Sequence, residues 1–246
     1  MSTWAIAMVK NEIDVIGYNI DWLITQVDNI LIADNLSTDG TYELLMEKTH
    51  IYPQIHLIKD EEAAYYQSSK MNALFHTAKE IDDSLEWVMP FDADEFFFAR
   101  GASIKEALAI ANCDVVMAPV WHMVSKMDNE VTNPLEQIQW RQENPEKFPV
   151  IAFRWNDKAS IHIGNHGVDW PAGRVEHGLL EVKHYQYRSL PQFIRKVKTG
   201  KAALEMTGFD QGIGAHWRVY GAMDESALAS VWREWANEPG LVFDPW

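Results

Sequence analysis

Two aspartates separated by one residue, Asp92 and Asp94, directly follow the apolar segment Trp87–Phe91. Such a segment is typical of a buried strand, and at the end of a strand both carboxylates can turn toward one cation. Oxygen ligands are those that Mg²⁺ and Mn²⁺ prefer, and both ions commonly join carboxylates to diphosphate oxygens. The pattern is also typical of a turn cap beside a solvated carboxylate, so the pair alone leaves both interpretations open.

Two further polar clusters follow apolar segments. Lys10-Asn11-Glu12 comes after Trp4–Val9, and the segment from Asp34 to Thr41 comes after Ile30–Ala33. Asp, Asn and Ser are common in turns and helix caps, which explains much of the second cluster without a ligand. A carboxylate beyond a parallel strand can also accept hydrogen bonds from a ribose or a base imide, and Asp34 and Asp39 are the candidates.

The elements that must position these residues alternate in the first half of the chain. The hydrophobic pattern predicts strands at 4–9, 30–33, 55–58, 87–91 and 115–120, and helices at 12–26, 41–48, 68–81 and 104–111. This alternation predicts an α/β fold with a mainly parallel sheet, in which ligands bind at the carboxyl ends of the strands. All three polar clusters fall at that edge.

The second half of the chain is less regular. Its pattern predicts strands at 150–155, 160–163 and 180–187, helices at 191–204 and 225–235, and a loop-rich stretch from 121 to 147. We expect it to form a small antiparallel addition and a C-terminal helical segment.

Composition excludes some functions and favours others. The formal net charge of −15 disfavours, without excluding, a nucleic-acid acceptor, because backbone binding usually needs a basic face. An acidic protein that handles a phosphorylated ligand needs a compensating charge, which a divalent cation supplies. The single cysteine permits no intrachain disulfide, and no stretch is apolar enough to predict a signal peptide or a transmembrane helix. We therefore expect a cytoplasmic protein.

Three ordered motifs resemble those of family 2 type glycosyltransferases with the GT-A fold. They are Lys10-Asn11-Glu12, Asp34-Asn35-Leu36-Ser37-Thr38-Asp39-Gly40-Thr41 and Asp92-Ala93-Asp94-Glu95-Phe96, and Lys70-Met71-Asn72-Ala73-Leu74 loosely matches a further family helix. The resemblance covers roughly residues 4 to 120. It implies a nucleotide-sugar donor, UDP-linked by default, contacted by Lys10, Asn11, Glu12, Asp34, Asp39, Lys70 and Asp92.

The resemblance also implies a metal site. Asp92 and Asp94 would hold Mn²⁺ or Mg²⁺ against the diphosphate, and His184 would complete the ion's shell, because His184-Tyr185-Gln186-Tyr187-Arg188 resembles a stretch that related enzymes carry. Arg188 would contact donor phosphates. The alternative for His184 is a histidine buried in a strand and satisfied by a hydrogen bond.

The catalytic base is the main departure from the family pattern. The family usually places an acidic residue near the acceptor, but its Glu-Asp pair is not recognisable here. Asp169 and His166 are the candidates, and His166 would alternatively orient the acceptor. The base and the stereochemical outcome therefore stay open.

The implied architecture is one GT-A domain over residues 1–246. Residues 1–120 would bind the nucleotide sugar, and residues 121–246 would form the acceptor side. The implied reaction is metal-assisted displacement by an acceptor hydroxyl, for which inversion is the favoured outcome and retention the alternative. The alternatives are a nucleotidyltransferase, which predicts a Gly-rich basic loop where Lys10-Asn11-Glu12 stands, and a non-catalytic sugar- or nucleotide-binding module. The acceptor itself is not readable.

Overall fold

The computed structural model describes residues 2–171, 173–210 and 212–246. In chain order its strands are β1 (Ser2–Val9), β2 (Asn29–Asp34), β3 (Ile55–Lys59), β4 (Leu85–Pro90), β5 (Glu95–Phe98), β6 (Val115–Ala118), β7 (Val120–Val124), β8 (Trp140–Arg141), β9 (Val150–Arg154), β10 (Ser160–Ile161), β11 (Val168–Asp169), β12 (Val175–His177), β13 (Glu181–His184) and β14 (Val242–Phe243).

The helices are α1 (Ile16–Leu23), α2 (Thr41–Ile51), α3 (Gln67–Ile81), α4 (Ile104–Ile110), α5 (Pro134–Gln137), α6 (Leu190–Glu205), α7 (Ala215–Gly221) and α8 (Glu225–Ala236). A 3₁₀ turn covers Ile163–Asn165. Local chemistry explains several of the helix starts. Ser103 and Glu106 form a reciprocal capping box at α4, and the side chains of Ser189 and Asp224 accept backbone N–H bonds at the starts of α6 and α8.

The chain divides into two compact units. The first comprises residues 1–61, 67–121 and 145–184, and the second comprises residues 62–66, 122–144 and 185–246. The first unit thus also takes in residues 145–184, which lie beyond the predicted boundary at residue 120.

A seven-stranded sheet forms the centre of the first unit, in the order β12-β6-β9-β4-β1-β2-β3. β1 pairs in parallel with both β2 and β4, and β2 pairs in parallel with β3. Of these seven strands, β9 alone is antiparallel to its neighbours β4 and β6. The mostly parallel sheet flanked by helices confirms the predicted α/β class.

α3 packs on this sheet through one apolar face. Met71, Leu74, Phe75 and Ala78 recur at helical spacing and are buried against β1, β2 and β4. The ring of Phe75 contacts those of Phe153 and Trp155, at centroid distances of 5.3 and 4.4 Å. The polar N-terminal turns of α3 are thereby held toward the segment 160–169, with which they form hydrogen bonds described below.

Two shorter antiparallel pairs complete the first unit. β5 pairs with β13, so that Glu95 lies opposite His184 and Phe97 opposite Val182. β10 pairs with β11 and forms a small hairpin.

The second unit contains a helical cluster with an aromatic core. Phe193 and Val197 of α6 pack with Leu228 and Trp232 of α8, and Tyr187 and Trp235 stack nearly parallel at 5.2 Å. In the same unit, β8 pairs with β14 and with the residues Met123 and Val124. In the described part of the chain, no helix combines the length and apolar character needed to cross a membrane.

Several element boundaries differ from the prediction. The predicted strand 115–120 is two strands, β6 and β7, because Pro119 has no N–H to donate to a ladder. The predicted helix 12–26 shortens to α1, because Asn11 takes a left-handed conformation (φ 56°) and the chain turns before the helix begins. The stretch 121–147 contains β7, α5 and β8 rather than loop alone. β5, β11, β12, β14 and α7 were not predicted.

Asp82 fastens the start of β1 to the loop before β4. Its carboxylate accepts hydrogen bonds from Ser2 Oγ, from Trp4 Nε1 at 2.9 Å and from the backbone N–H of Ser84 at 2.8 Å. These bonds outweigh partial desolvation and hold the pKa of Asp82 far below its ordinary value.

We expect Asp82→Ala to lower the free energy of unfolding by about 2 kcal/mol at pH 7, because hydrogen bonds to a charged group are lost. The folded-state pKa is depressed, so the carboxylate stabilises the fold above the ordinary pKa of about 3.8. That contribution declines as the pH falls below about 5. Urea unfolding at pH 7 and pH 3.5 measures it. The exposed neighbour Asp83→Ala is the matched control, and equal losses in both variants would contradict the assignment.

Candidate active site

The residues Asp92–Glu95, here called the acidic turn, connect β4 to β5 at the carboxyl end of the parallel strands. Two side chains bond to the backbone of this turn. Asn19 is fully buried on α1, and its Nδ2 donates to the carbonyl oxygens of Ala93 at 3.0 Å and Glu95 at 2.9 Å. The turn is closed further by Glu95, whose Oε2 accepts the N–H of Asp92 at 3.0 Å.

The β5–β13 pairing brings an imidazole to the acidic turn. Because Glu95 and His184 are register partners, both side chains point to the same face of the pair. Asp94 is buried, and its Oδ1 lies 3.5 Å from His184 Nε2. The structure therefore brings together Asp94 and His184, which stand ninety residues apart in the chain.

Carboxyl groups are crowded in the acidic turn. Burial, and then the negative charges of Asp92 and Asp94, raise the pKa of Glu95 to about 8, against the opposing effects of His184 and of the backbone N–H of Asp92. A further negative charge in this turn is therefore unfavourable. A cation near these groups would relieve that repulsion.

The donor chemistry of the acidic turn and His184 fits Mn²⁺ or Mg²⁺, because two aspartates and an imidazole are suitable ligands for such ions. Across residues 2–171, 173–210 and 212–246, however, no three His, Cys, Asp or Glu side chains are arranged to hold a metal ion unaided. An ion held by Asp92, Asp94 and His184 would need further ligands from a diphosphate or from water.

Asp34, at the end of β2, offers a different kind of contact. Its Oδ2 accepts the backbone N–H of Ser37 at 3.1 Å. Its Oδ1 is buried and has no hydrogen-bond partner among the residues that the structure describes. A buried carboxylate oxygen without a partner is costly, so this atom is a ready acceptor for a ligand N–H or O–H.

Asp39 makes contacts within the loop instead. Its Oδ1 accepts from Thr41 N at 3.0 Å and from Thr41 Oγ1 at 2.6 Å, and its Oδ2 accepts from Ile13 N at 3.2 Å. The loop after β1 is fastened to the same segment, because the backbone N–H of Glu12 donates to Thr41 Oγ1 at 3.0 Å. Asp39 therefore holds two loops of the sheet edge together.

Asn11 fastens the same two loops from the other side. Its side-chain oxygen accepts the N–H of Thr38 at 2.8 Å, and its own N–H donates to Ser37 Oγ at 3.0 Å. Lys10 Nζ lies 3.4 Å from Asn35 Oδ1. The Lys10-Asn11-Glu12 cluster is thus brought directly beside the cluster that follows β2, as the parallel pairing of β1 and β2 requires.

Lys70 is held at the third strand of this edge. Its Nζ forms an ion pair with Asp60 Oδ2 at 2.6 Å, and both side chains are largely buried. Asn35 Nδ2 donates to the same Asp60 oxygen at 2.8 Å. Lys70 and the Asp34 loop therefore share one carboxylate, which fixes the position of the ammonium group.

The two candidate bases occupy different settings in the segment 160–169. Asp169 is 78% exposed, and its Oδ1 lies 3.0 Å from His162 Nε2. His166 Nδ1 lies 3.2 Å from the carbonyl oxygen of Pro149, and its ring contacts Phe148. Desolvation lowers the pKa of His166 despite that hydrogen bond. A carbonyl can only accept, so Nδ1 carries the proton and Nε2 keeps its lone pair.

Arg188 belongs to the second unit and is fully buried. Its Nη1 donates to the carbonyl oxygen of Tyr185 at 3.0 Å, and its backbone N–H donates to Gln192 Oε1 at 3.0 Å. The first of these bonds joins the guanidinium to a residue of the same unit.

Several polar residues of the site were not predicted from the sequence. Asn19 lies between Ile16 and Ile20 on the apolar stripe of α1, and an amide in such a stripe was the signal. Gln67 and Asn165 are both buried and reach Asp92 through hydrogen bonds. Nothing in the periodicity indicated these two, because the contact joins segments almost a hundred residues apart.

The sequence matches one known protein family. The model of glycosyl transferase family 2 matches residues 4–164. No curated protein matches the sequence.

Three solved structures resemble the fold distantly. The mannosyltransferase PcManGT from Pyrobaculum calidifontis, in complex with GDP-Man and Mn²⁺, is 14% identical, with a TM-score of 0.46 over 94% of this chain and 73% of its own. HddC from Yersinia pseudotuberculosis is 10% identical, with a TM-score of 0.42 over 72% and 90%. The 4-diphosphocytidyl-2C-methyl-D-erythritol synthase from Anaerococcus prevotii is 12% identical, with a TM-score of 0.35 over 94% and 82%.

The family match covers well over half of the chain and includes β1, the loop after β2, the acidic turn and the segment around His162. The observed architecture agrees with it, since the matched residues build the mostly parallel sheet and its flanking helices. The chain belongs to glycosyl transferase family 2 and is a nucleotide-sugar glycosyltransferase of the GT-A fold.

Proposed function

We propose that this protein transfers a sugar from a nucleoside diphosphate sugar to an acceptor hydroxyl, with Mn²⁺ or Mg²⁺ and with inversion at the anomeric carbon. UDP-sugars are the first donors to test. The observation that carries the proposal is the pairing of Asp94 with His184 at 3.5 Å beside Asp92 and Glu95, at the carboxyl end of a parallel strand. Ligands of such sheets bind at that end.

Asp92, Asp94 and His184 are the proposed protein ligands of the ion. When bound, the divalent ion would offset the charge that develops on the diphosphate leaving group. The protein's own part is to keep these side chains in place: Asn19 fixes the backbone of the acidic turn, and the β5–β13 pairing fixes His184 beside it. The rigid strands on both sides keep the site ordered before a ligand arrives.

Asp34 is the proposed contact of the nucleoside. Its buried Oδ1 needs a donor, and a base imide or ribose hydroxyl supplies one. Lys70, held by Asp60, and the Lys10-Asn11-Glu12 loop lie at the same sheet edge and are proposed to contact the donor. Asp39 and Arg188 are left out of the proposed contacts, because their side chains are engaged in bonds within the protein.

His166 is the proposed catalytic base. Its lowered pKa keeps the imidazole neutral at pH 7, and the Pro149 carbonyl selects the tautomer with a free lone pair on Nε2. In the proposed step, His166 Nε2 takes the proton of the acceptor hydroxyl. At the same time, the oxygen of that hydroxyl bonds to the anomeric carbon. The bond from that carbon to the diphosphate breaks, and its electron pair leaves with the nucleoside diphosphate.

The proposal is tested by incubating the protein with a panel of UDP-, GDP- and TDP-sugars, with Mn²⁺ or with EDTA, and measuring nucleoside diphosphate release. Metal-dependent release from one donor class supports the proposal. Pyrophosphate release from a nucleoside triphosphate would instead indicate a nucleotidyltransferase. Binding of a nucleotide sugar without turnover, in the presence of simple sugar acceptors, would indicate a binding module.

Asp94→Ala should abolish metal-dependent donor binding and reduce transfer by at least about 100-fold, because a ligand of the ion and its charge are lost. Isothermal titration with UDP in the presence of Mn²⁺ measures the binding. Asp157→Ala removes the same charge from an exposed position after β9 and serves as the matched control. Full activity of Asp94→Ala in the presence of EDTA would overturn the metal assignment.

Asp34→Asn should weaken UDP binding by about 10- to 100-fold, the cost of one hydrogen bond to a charged group. The amide oxygen can still accept the N–H of Ser37, so the melting temperature without ligand should stay near that of the wild type. Unchanged affinity would exclude Asp34 from the nucleoside contact.

His166→Gln should lower transfer by about 100-fold and remove the acid limb from the pH profile of kcat/KM. In the wild type we expect activity to rise with pH through an apparent pKa below 6.5, because only the neutral ring accepts a proton. The profile is measured at saturating Mn²⁺. Asp169→Asn is the comparison. If the limb disappears there and persists in His166→Gln, Asp169 is the base.

A further inference from the structure

A chain of buried amides ends on Asp92. The backbone N–H of Gly164 donates to Gln67 Oε1 at 2.6 Å, Gln67 Nε2 donates to Asn165 Oδ1 at 3.1 Å, and Asn165 Nδ2 donates to Asp92 Oδ1 at 3.2 Å. Gln67 is 3% exposed and Asn165 is 0% exposed. Hydrogen bonds at this depth are shielded from competing water, so their direction is well defined.

The direction of this amide chain is fixed at both ends. A backbone N–H can only donate, so Gln67 must present its oxygen to Gly164 and its NH₂ group to Asn165. Asn165 must then present its own oxygen to Gln67 and its NH₂ group to Asp92. A carboxylate oxygen accepts this last bond, which therefore holds one of the two oxygens of Asp92.

The backbone at Asn165 is adapted to this task. Asn165 has φ +58° and follows Gly164 with φ +78°, so two successive left-handed residues turn the amide inward. Apart from glycine, asparagine and aspartate tolerate this conformation best. The segment is anchored separately, because Ser68 Oγ donates to the carbonyl oxygen of Ile161 at 2.7 Å. The side chain of Asn72 also donates to this carbonyl oxygen and accepts the backbone N–H of Ile161.

We propose that Gln67 and Asn165 are positioning residues that hold Oδ1 of the Asp92 carboxylate and so fix the orientation in which this side chain would meet the donor-bound cation. The proposal rests on the role given to Asp92 in the proposed function. Neutral amides are suited to this role because they orient the carboxylate without cancelling the charge that a cation requires.

The main test compares Mn²⁺ binding in the presence of UDP, followed by electron paramagnetic resonance. Asn165→Gly removes the amide without straining the left-handed backbone, and Gln67→Met removes the group that donates to Asn165 Oδ1. Each variant should bind Mn²⁺ roughly 10- to 100-fold more weakly than the wild type. Ser68→Ala, which loosens the anchor but leaves the amide chain intact, should bind as the wild type does.

A second measurement needs no ligand. In the NMR spectrum of the metal-free protein, the side-chain NH₂ protons of Asn165 should exchange slowly with solvent, and Asp92→Ala should shift and expose them. Equal Mn²⁺ affinity in Asn165→Gly and the wild type would overturn the positioning role, as would rapid exchange of these protons. Another outcome is protected NH₂ protons in a wild type that binds no Mn²⁺ in the presence of UDP. That result would confirm the hydrogen bonds of the amide chain and contradict the proposed metal site.

Discussion

Mutual repulsion among carboxyl groups is the constraint on which the rest of the site depends. Asp92, Asp94 and Glu95 stand within four residues at the end of a buried strand, where low polarity makes each negative charge costly. Such a cluster persists only if the backbone that carries it is held firmly. Asn19 on α1 holds this backbone by donating from its side-chain amide to the carbonyl oxygens of Ala93 and Glu95. The antiparallel pairing of β5 with β13 holds the segment that follows.

Neutral groups form several of the hydrogen bonds to this turn. The contacts described above come from the amides of Asn19 and Asn165 and from a backbone N–H, whereas Lys70 is paired with Asp60 further along the edge. A neutral donor can orient a carboxylate without cancelling its negative charge. The residues of the turn are for this reason suited to bind a metal ion and its diphosphate.

Local signals predicted the parallel half of the sheet well, because its strands and helices are contiguous in sequence and their periodicities are clear. β1, β2, β3, β4, α2 and α3 all lie close to their predicted positions, and the ends of β1, β2 and β4 meet at one edge as expected. Asp94 and His184 were also predicted to be neighbours, although only the family resemblance carried that inference.

The rest could not be read from local pattern, for reasons visible in particular residues. β9 joins the sheet between β4 and β6 in the opposite direction, and nothing within Val150–Arg154 distinguishes it from a parallel strand. Asp34 and Asp39 have the same side chain in the same loop, yet Asp34 keeps a buried oxygen without a partner among the described residues, whereas Asp39 is exposed and accepts hydrogen bonds from Ile13 and Thr41. Burial and hydrogen-bond direction separate such residues, and both depend on tertiary contacts.

The antiparallel insertion of β9 has a consequence for the order in which the chain matures during synthesis. The four strands β4-β1-β2-β3 are complete once residue 90 has left the ribosome, but the strand that covers the β4 edge begins only at Val150. Until then β4 is an open edge of a largely apolar sheet, the kind of surface that invites pairing with other chains. Asn165 and His184 are made later still, so a nascent chain carries the acidic turn before it has the groups that surround it. Nascent-chain solubility and the completion of the site therefore depend on the same late segment.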